Sequence, residues 1–195
     1  MDKSALINFI KTNIPNVAID EQSLQIIVDQ FEEKIFQKDD YLLKEGKTSR
    51  YFFLSEGFLR VFTFDTEGNE VTTYFYSQNR VVFDAASFFL KLPSSENIQA
   101  MTECKVYITN FEKLNQLFHS VAAFREFGRQ MIVQEFVAYK QRTLAMINQS
   151  AEKRYLKLIE TNKDVFQFAH LNHIASYLGI SERTLNRIRQ NFTKK

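Results

Sequence analysis

The period of the apolar positions changes twice along the chain. Ser4 to Lys11 and Asp20 to Gln30 carry apolar residues at helical spacing and Pro15 breaks the run between them, which predicts two short helices. From Lys34 to about Ile108 the texture becomes short runs rich in Phe, Tyr, Val, Ile and Thr, punctuated at Glu45-Gly46, Glu56-Gly57 and Glu67-Gly68-Asn69. In Phe58 to Phe64 apolar residues nearly alternate, and Val71 to Tyr76 follows across the Gly68-Asn69 turn, so the two predict a hairpin. Several such strands in succession imply an antiparallel roll or barrel. A helical piece at Ala85 to Leu90 interrupts it ahead of Pro93.

Helical spacing returns at Ala122 and holds to Asn148 with no Pro and one Gly, which predicts a long helix. Ile132, Phe136, Tyr139, Thr143 and Met146 are spaced four, three, four and three, as a coiled-coil seam requires. Phe124, Phe127, Met131 and Ala138 form a second stripe about 100° around the axis. Both stripes could pack on the preceding roll; the favoured reading puts one on the roll and the other on a second copy of the chain, making the helix the axis of a symmetric dimer.

Leu171 to Gln190 is the most informative stretch. Ile174, Ala175 and Leu178 set an inward face on one helix, Gly179 supplies a permissive turn, Ile180 plugs the corner and Ser181 caps a second helix. Leu185, Ile188 and Phe192 point that second helix inward. Its opposite face carries Arg183, Asn186, Arg187 and Gln190, residue types that reach phosphates and base edges in a major groove. The alternative is an ordinary helical hairpin with a solvated face. Charge favours the first reading: residues 149–195 hold nine Lys or Arg against four Asp or Glu, whereas residues 1–148 hold 16 against 19.

Composition removes other classes. With 195 residues, 45% hydrophobic content, five Gly and two Pro, the chain can bury a core and is not a disordered or collagen-like polymer. A single Cys104 excludes an internal disulfide and suits a reducing compartment, and it reads as a small core residue rather than a redox sensor. No apolar run approaches the roughly 20 residues that span a bilayer, so a cytoplasmic, membrane-free protein is expected. His170 and His173 are three apart with no third ligand in view, so no metal is expected. No nucleophile and base pair suggests an enzyme.

The order of parts and the motifs together resemble the Crp/Fnr family of bacterial transcription regulators. The resemblance is carried by His173-Ile174-Ala175-Ser176-Tyr177-Leu178-Gly179-Ile180-Ser181 with Thr184-Leu185-Asn186-Arg187-Ile188-Arg189, by Ala151-Glu152-Lys153-Arg154-Tyr155, and by the early strands from Leu42 to Phe62. It implies an α+β fold: an N-terminal antiparallel β-roll of the double-stranded β-helix, jelly-roll-like type over residues 1–121, a dimerisation helix over 122–148 and a helix-turn-helix unit over 149–195. It further implies a homodimer on an inverted-repeat operator in double-stranded DNA, regulating transcription, with RNA polymerase as a further partner. Arg183, Asn186 and Arg187 are then expected at base edges with Ser181, Glu182 and Gln190 as helpers, and Lys153, Arg154, His173 and Arg189 at phosphates.

Two departures qualify that likeness. Cyclic-nucleotide-binding relatives hold the phosphate with a Gly-Glu pair at the start of a short helix and an Arg ahead of a small residue; here those places read Asp84-Ala85-Ala86-Ser87 and Ser94-Ser95-Glu96-Asn97. Asp84 and Glu96 would oppose a phosphodiester, so no cyclic AMP or cyclic GMP binding is expected and the effector, if there is one, is unknown. On the second helix many relatives have a Glu that accepts from a base, where this chain has Arg183 preceded by Glu182, so the operator sequence does not transfer. The alternative function is a nucleotide or small-molecule sensor whose roll binds ligand and whose basic tail contacts a protein.

Overall fold

The computed structural model describes residues 3–13 and 19–193. Pro15, expected to separate the first two helices, and Lys194 and Lys195 lie outside the described residues. Helix α1 (Ser4–Asn13) is followed by α2 (Glu21–Asp29), which Asp20 caps by accepting from the Ser23 amide at 2.7 Å. The strands are β1 (Glu32–Phe36), β2 (Tyr41–Leu43), β3 (Tyr51–Glu56), β4 (Phe58–Phe64), β5 (Glu70–Ser77) and β6 (Arg80–Val82). Helix α3 (Ala85–Leu90) precedes β7 (Asn97–Ala100) and β8 (Cys104–Thr109). Then come α4 (Phe111–Ser120), α5 (Ala122–Asn148), α6 (Ala151–Thr161), α7 (Val165–Phe168), α8 (Leu171–Tyr177) and α9 (Glu182–Thr193).

The strands form two four-stranded sheets, ordered β1-β8-β3-β6 and β2-β7-β4-β5, with every pairing antiparallel. The expected hairpin is β4 with β5, its turn fixed by the Asp65 carboxylate accepting from the Glu67 and Asn69 amides at 2.9 Å each. Successive residues of a strand face opposite sides, and here both sides are used. On β3, Phe52 and Leu54 enter the core between the sheets with Leu59, Val61, Ile98 and Val106. Tyr51 and Phe53 point the other way, into a second core under α1, α2, α4 and α5. That is why Tyr51 to Leu54 is a continuous apolar run rather than an alternating one.

Helix α4 has no counterpart in the sequence reading. It is a short amphipathic segment capped by Asn110, which accepts from the Lys113 amide at 2.9 Å, and it buries Leu114 and Leu117 against the first sheet's outer core. Helix α5, about 40 Å long at 1.5 Å per residue, packs by its first turns. Phe124, Phe127 and Gly128 are buried, and Met131 lies against the same core. The other stripe stands open: Phe136 and Tyr139 are 65% and 68% exposed, and Ile132, Val133, Val137, Leu144 and Ile147 are exposed beside them. Met146, placed by its spacing at the end of that stripe, is 39% exposed, with its methyl beside Gly179.

The C-terminal helices share a third core, in which Tyr155, Leu158, Val165, Ile174, Leu178, Leu185 and Ile188 meet Phe58, Phe75 and Met101 from the outer face of the second sheet. Ser150 caps α6 by accepting from the Lys153 amide at 3.3 Å.

Candidate nucleic-acid interface

Helix α8 stops for identifiable reasons. The Ile180 amide donates to the Ala175 carbonyl and the Gly179 amide to the Ser176 carbonyl, at 3.0 and 2.9 Å, closing the paired bonds of a Schellman end. Gly179 sits at φ 64°, a left-handed conformation that favours glycine, and a Cβ there would meet the Met146 methyl at 2.5 Å. Ser181 starts α9, its hydroxyl oxygen accepting from the Thr184 amide at 3.2 Å. Leu185 and Ile188 are then fully buried, a burial each of which stabilises the seat of α9 by about 1.5–3 kcal/mol. Phe192 stacks on Tyr155 with centroids 5.8 Å apart. Arg183, Arg187 and Gln190 consequently project to solvent, and with Glu182, Thr184 and Asn186 they line one open concave surface.

The other residues expected to touch nucleic acid are dispersed. Lys153 is exposed on the first turn of α6, and Arg189 is half-buried on α9. Arg154 is spent internally: it donates twice to the Leu178 carbonyl, at 2.8 and 3.1 Å, and once to Gln149 at 2.6 Å, holding the last carbonyls of α8 and α5. His173 faces the roll instead of solvent, its side chain only 16% exposed and its Nε2 3.8 Å from Glu70. Burial first, then the nearby Arg60 guanidinium, push the imidazole down to about 4, so it is neutral at pH 7 and makes no ion pair with Glu70. His170 and His173 rings lie 5.5 Å apart, and among the described residues no group of three His, Cys, Asp or Glu is placed to hold a metal.

Sequence reasoning missed what lies beneath α8. Arg60, on the outward face of β4, is 1% exposed; its Nε donates to the Thr72 hydroxyl at 2.9 Å and its Nη1 to Glu70 at 2.6 Å, and it stacks 4.3 Å over Phe62. Burial works against its charge and the Glu70 carboxylate restores it. The Thr72 amide donates to the Ser176 hydroxyl at 2.9 Å, and that hydroxyl donates to the Glu70 carbonyl at 3.4 Å. Arg142 of α5 adds a bond to the Tyr177 carbonyl at 2.9 Å and stacks on the Tyr177 ring. The only hint in the sequence is an arginine inside an otherwise apolar strand.

Residues 33–121 match the family model of the cyclic nucleotide-binding domain. Most of the chain shares a fold with solved regulators. These include the c-di-GMP responsive global regulator of Xanthomonas campestris, at TM-score 0.67 and 11% identity over 90% of this chain and 92% of that one. A transcriptional regulator of the Crp/Fnr family from Eubacterium rectale gives 0.69 and 15% over 90% and 84%, and FixK2 from Bradyrhizobium japonicum 0.70 and 15% over 84% and 85%. At these identities the likeness is one of fold. No curated protein sequence matches the chain. Among the described residues no helix is long and apolar enough to cross a membrane.

A nucleotide-binding fold raises the question of whether a cyclic nucleotide fits. A cavity of about 700 Å³ lies between the roll and α5, walled by Val61, Tyr74, Phe83, Phe89, Ile98 and Met131 among others. At the phosphate end the Asp84 carboxylate accepts from the Ser87 amide at 3.1 Å and the Ser94 hydroxyl at 2.7 Å, occupying donors an anion would need. Glu96 accepts from the Thr73 hydroxyl at 2.7 Å, and burial, with Asp84 nearby, holds it above the ordinary carboxylate range. The charged residues lining the cavity are Asp84, Glu96 and Glu135 against Arg80. These residues do not fit a phosphodiester.

Proposed function

We propose that the chain is a DNA-binding transcription regulator acting as a homodimer, with α9 as the recognition helix of a helix-turn-helix. The observation that carries this reading is the division of α9: Leu185 and Ile188 buried, with Arg183, Asn186, Arg187 and Gln190 on one open face. Arg183, Asn186 and Arg187 read base edges, Ser181, Glu182 and Gln190 assist, and Lys153 and Arg189 contact phosphates. Arg154 and His173 are assigned positioning parts instead, the first holding the turn and the second seating α8 on the roll. The open apolar stripe of α5 is the dimer seam; left in water, Phe136 and Tyr139 would be a standing liability.

Selection from a pool of randomised double-stranded DNA tests this. The expected product is an inverted repeat with half-sites about 10 base pairs apart centre to centre, bound more weakly as salt rises. Arg187→Ala should weaken the selected site by about 1–3 kcal/mol and relax preference at one position per half-site. An enriched sequence without two-fold symmetry, or no enrichment, overturns the reading.

A further inference from the structure

The last carbonyls of a helix have no amide of that helix to accept from, and whatever fills them fixes how the end is held. Two carbonyls at the end of α8 are taken by guanidinium groups from different parts of the chain. Arg154 of α6 donates twice to Leu178, at 2.8 and 3.1 Å, from within the C-terminal helices. Arg142 donates to Tyr177 at 2.9 Å from α5, 35 residues away in the sequence. Its guanidinium also lies over the Tyr177 ring, 4.2 Å from the centroid, so a directed bond and a flat stack fix it together. The same ring packs on Phe75 of β5, with centroids 5.3 Å apart. One turn further along α5 the Met146 methyl lies beside Gly179, the glycine of the turn itself. The corner from which α9 departs is therefore seated on α5, the helix that carries the open apolar stripe.

That seat acts on a long lever. Helix α9 has 12 residues and is about 18 Å long at 1.5 Å per residue, so a swing of about 10° at the corner moves its far end by about 3 Å. One base-pair step is about 3.4 Å. A small change in how α8 sits on α5 thus moves a recognition helix out of register with its groove while every base-reading side chain stays as it was.

We propose that Arg142 is the positioning residue that sets which half-site spacing the dimer accepts: it touches no base, and it fixes the distance and angle between the two copies of α9 by tying the turn to α5. This assignment rests on the reading of the chain as a DNA-binding dimer. Arg154 holds the turn within one subunit, whereas Arg142 holds it against the axis that the subunits share.

Duplexes carrying the inverted repeat selected by the unaltered chain, with the spacer shortened or lengthened by one and two base pairs, separate spacing from base reading. The unaltered chain should bind the selected spacing about tenfold or more tighter than its one-base-pair neighbours. In Arg142→Met, which keeps an apolar stem and removes the donors, that ratio should shrink to about threefold or less, while a base substitution inside a half-site still costs the same factor as before. Lys140→Met, an exposed change on the same helix, should leave the ratio as it was. Affinity that falls equally at every spacing in Arg142→Met, with the ratio kept, overturns the assignment, and so does a ratio that Lys140→Met shrinks as much. Should Arg142→Met not fold, Tyr177→Leu, which removes only the stacked ring, carries the same expectation and the same overturning result. If the unaltered chain yields no inverted repeat or prefers no spacing, the dimeric DNA reading fails and the assignment with it, an outcome distinct from a variant that keeps the preference.

Discussion

Helices cover the outer faces of both sheets with rings and aliphatic side chains, Phe58 on Phe168 and Phe75 on Tyr177 in the second, but the second cover also encloses a buried polar cluster. On the first sheet the helices meet the strands ring on ring: Phe9 lies 4.8 Å from Phe53, and Phe88 packs on Tyr51. On the second sheet α8 meets Arg60, Glu70 and Thr72 through His173 and Ser176, with apolar contacts around them. Two buried atoms in that polar contact, Arg60 Nη2 and His173 Nδ1, have no hydrogen-bond partner among the described residues. Rings that interlock lose their whole contact on separation, whereas the polar groups of the second joint regain water. The C-terminal helices are thus held to the roll by a contact that mixes rings with buried polar groups, and to α5 by Arg142 and Arg154.

Truncation in the apolar cover is the most severe way to test that contrast. Phe53→Ala should destabilise the whole chain by about 3–5 kcal/mol, seen as a lower urea midpoint. A loss confined to the C-terminal helices would contradict the division drawn here. Acid should act on the other joint. His173 is neutral when folded, at about 4, and titrates near 6.5 when unfolded, so its contribution is complete above about pH 6.5 and is lost as pH falls toward 4. Discounted for its partial exposure, the loss is about 1–2 kcal/mol. It should appear as a steeper fall of the urea midpoint over that window than in His173→Asn. Parallel curves would remove the histidine from the joint. The smallest effect is a coupling: Arg60→Met takes away one cause of the depression, so the His173 ring should titrate above about 4 by NMR. An unmoved titration would mean that burial alone sets it.

What could be read from the residues beforehand was what neighbours in sequence determine. The α5 limits, Ala122 and Asn148, follow from a long run of helix formers, and the short α3, Ala85 to Leu90, was placed ahead of Pro93. The α8 turn was legible because its glycine, plug and cap are consecutive. Helix α4 was not, since its apolar content is two leucines and a few aromatics beside a strand. Arg154 looked like a phosphate ligand because its carbonyl partner at Leu178 lies 24 residues away, and His173 because Glu70 and Arg60 lie more than 100 away. A ligand-binding roll was an alternative on sequence, but the residues lining the cavity could not be picked out, because its walls come from strands, loops and α5 together.

Ile132, Phe136 and Tyr139 belong to both the cavity wall and the open stripe of α5. In the proposed dimer these side chains would serve both the seam and the cavity wall, and any coupling that follows would be reciprocal. A guest that shifted the monomer–dimer equilibrium by some factor would be held tighter in the dimer by that same factor, so diluting the protein would loosen its hold on the guest.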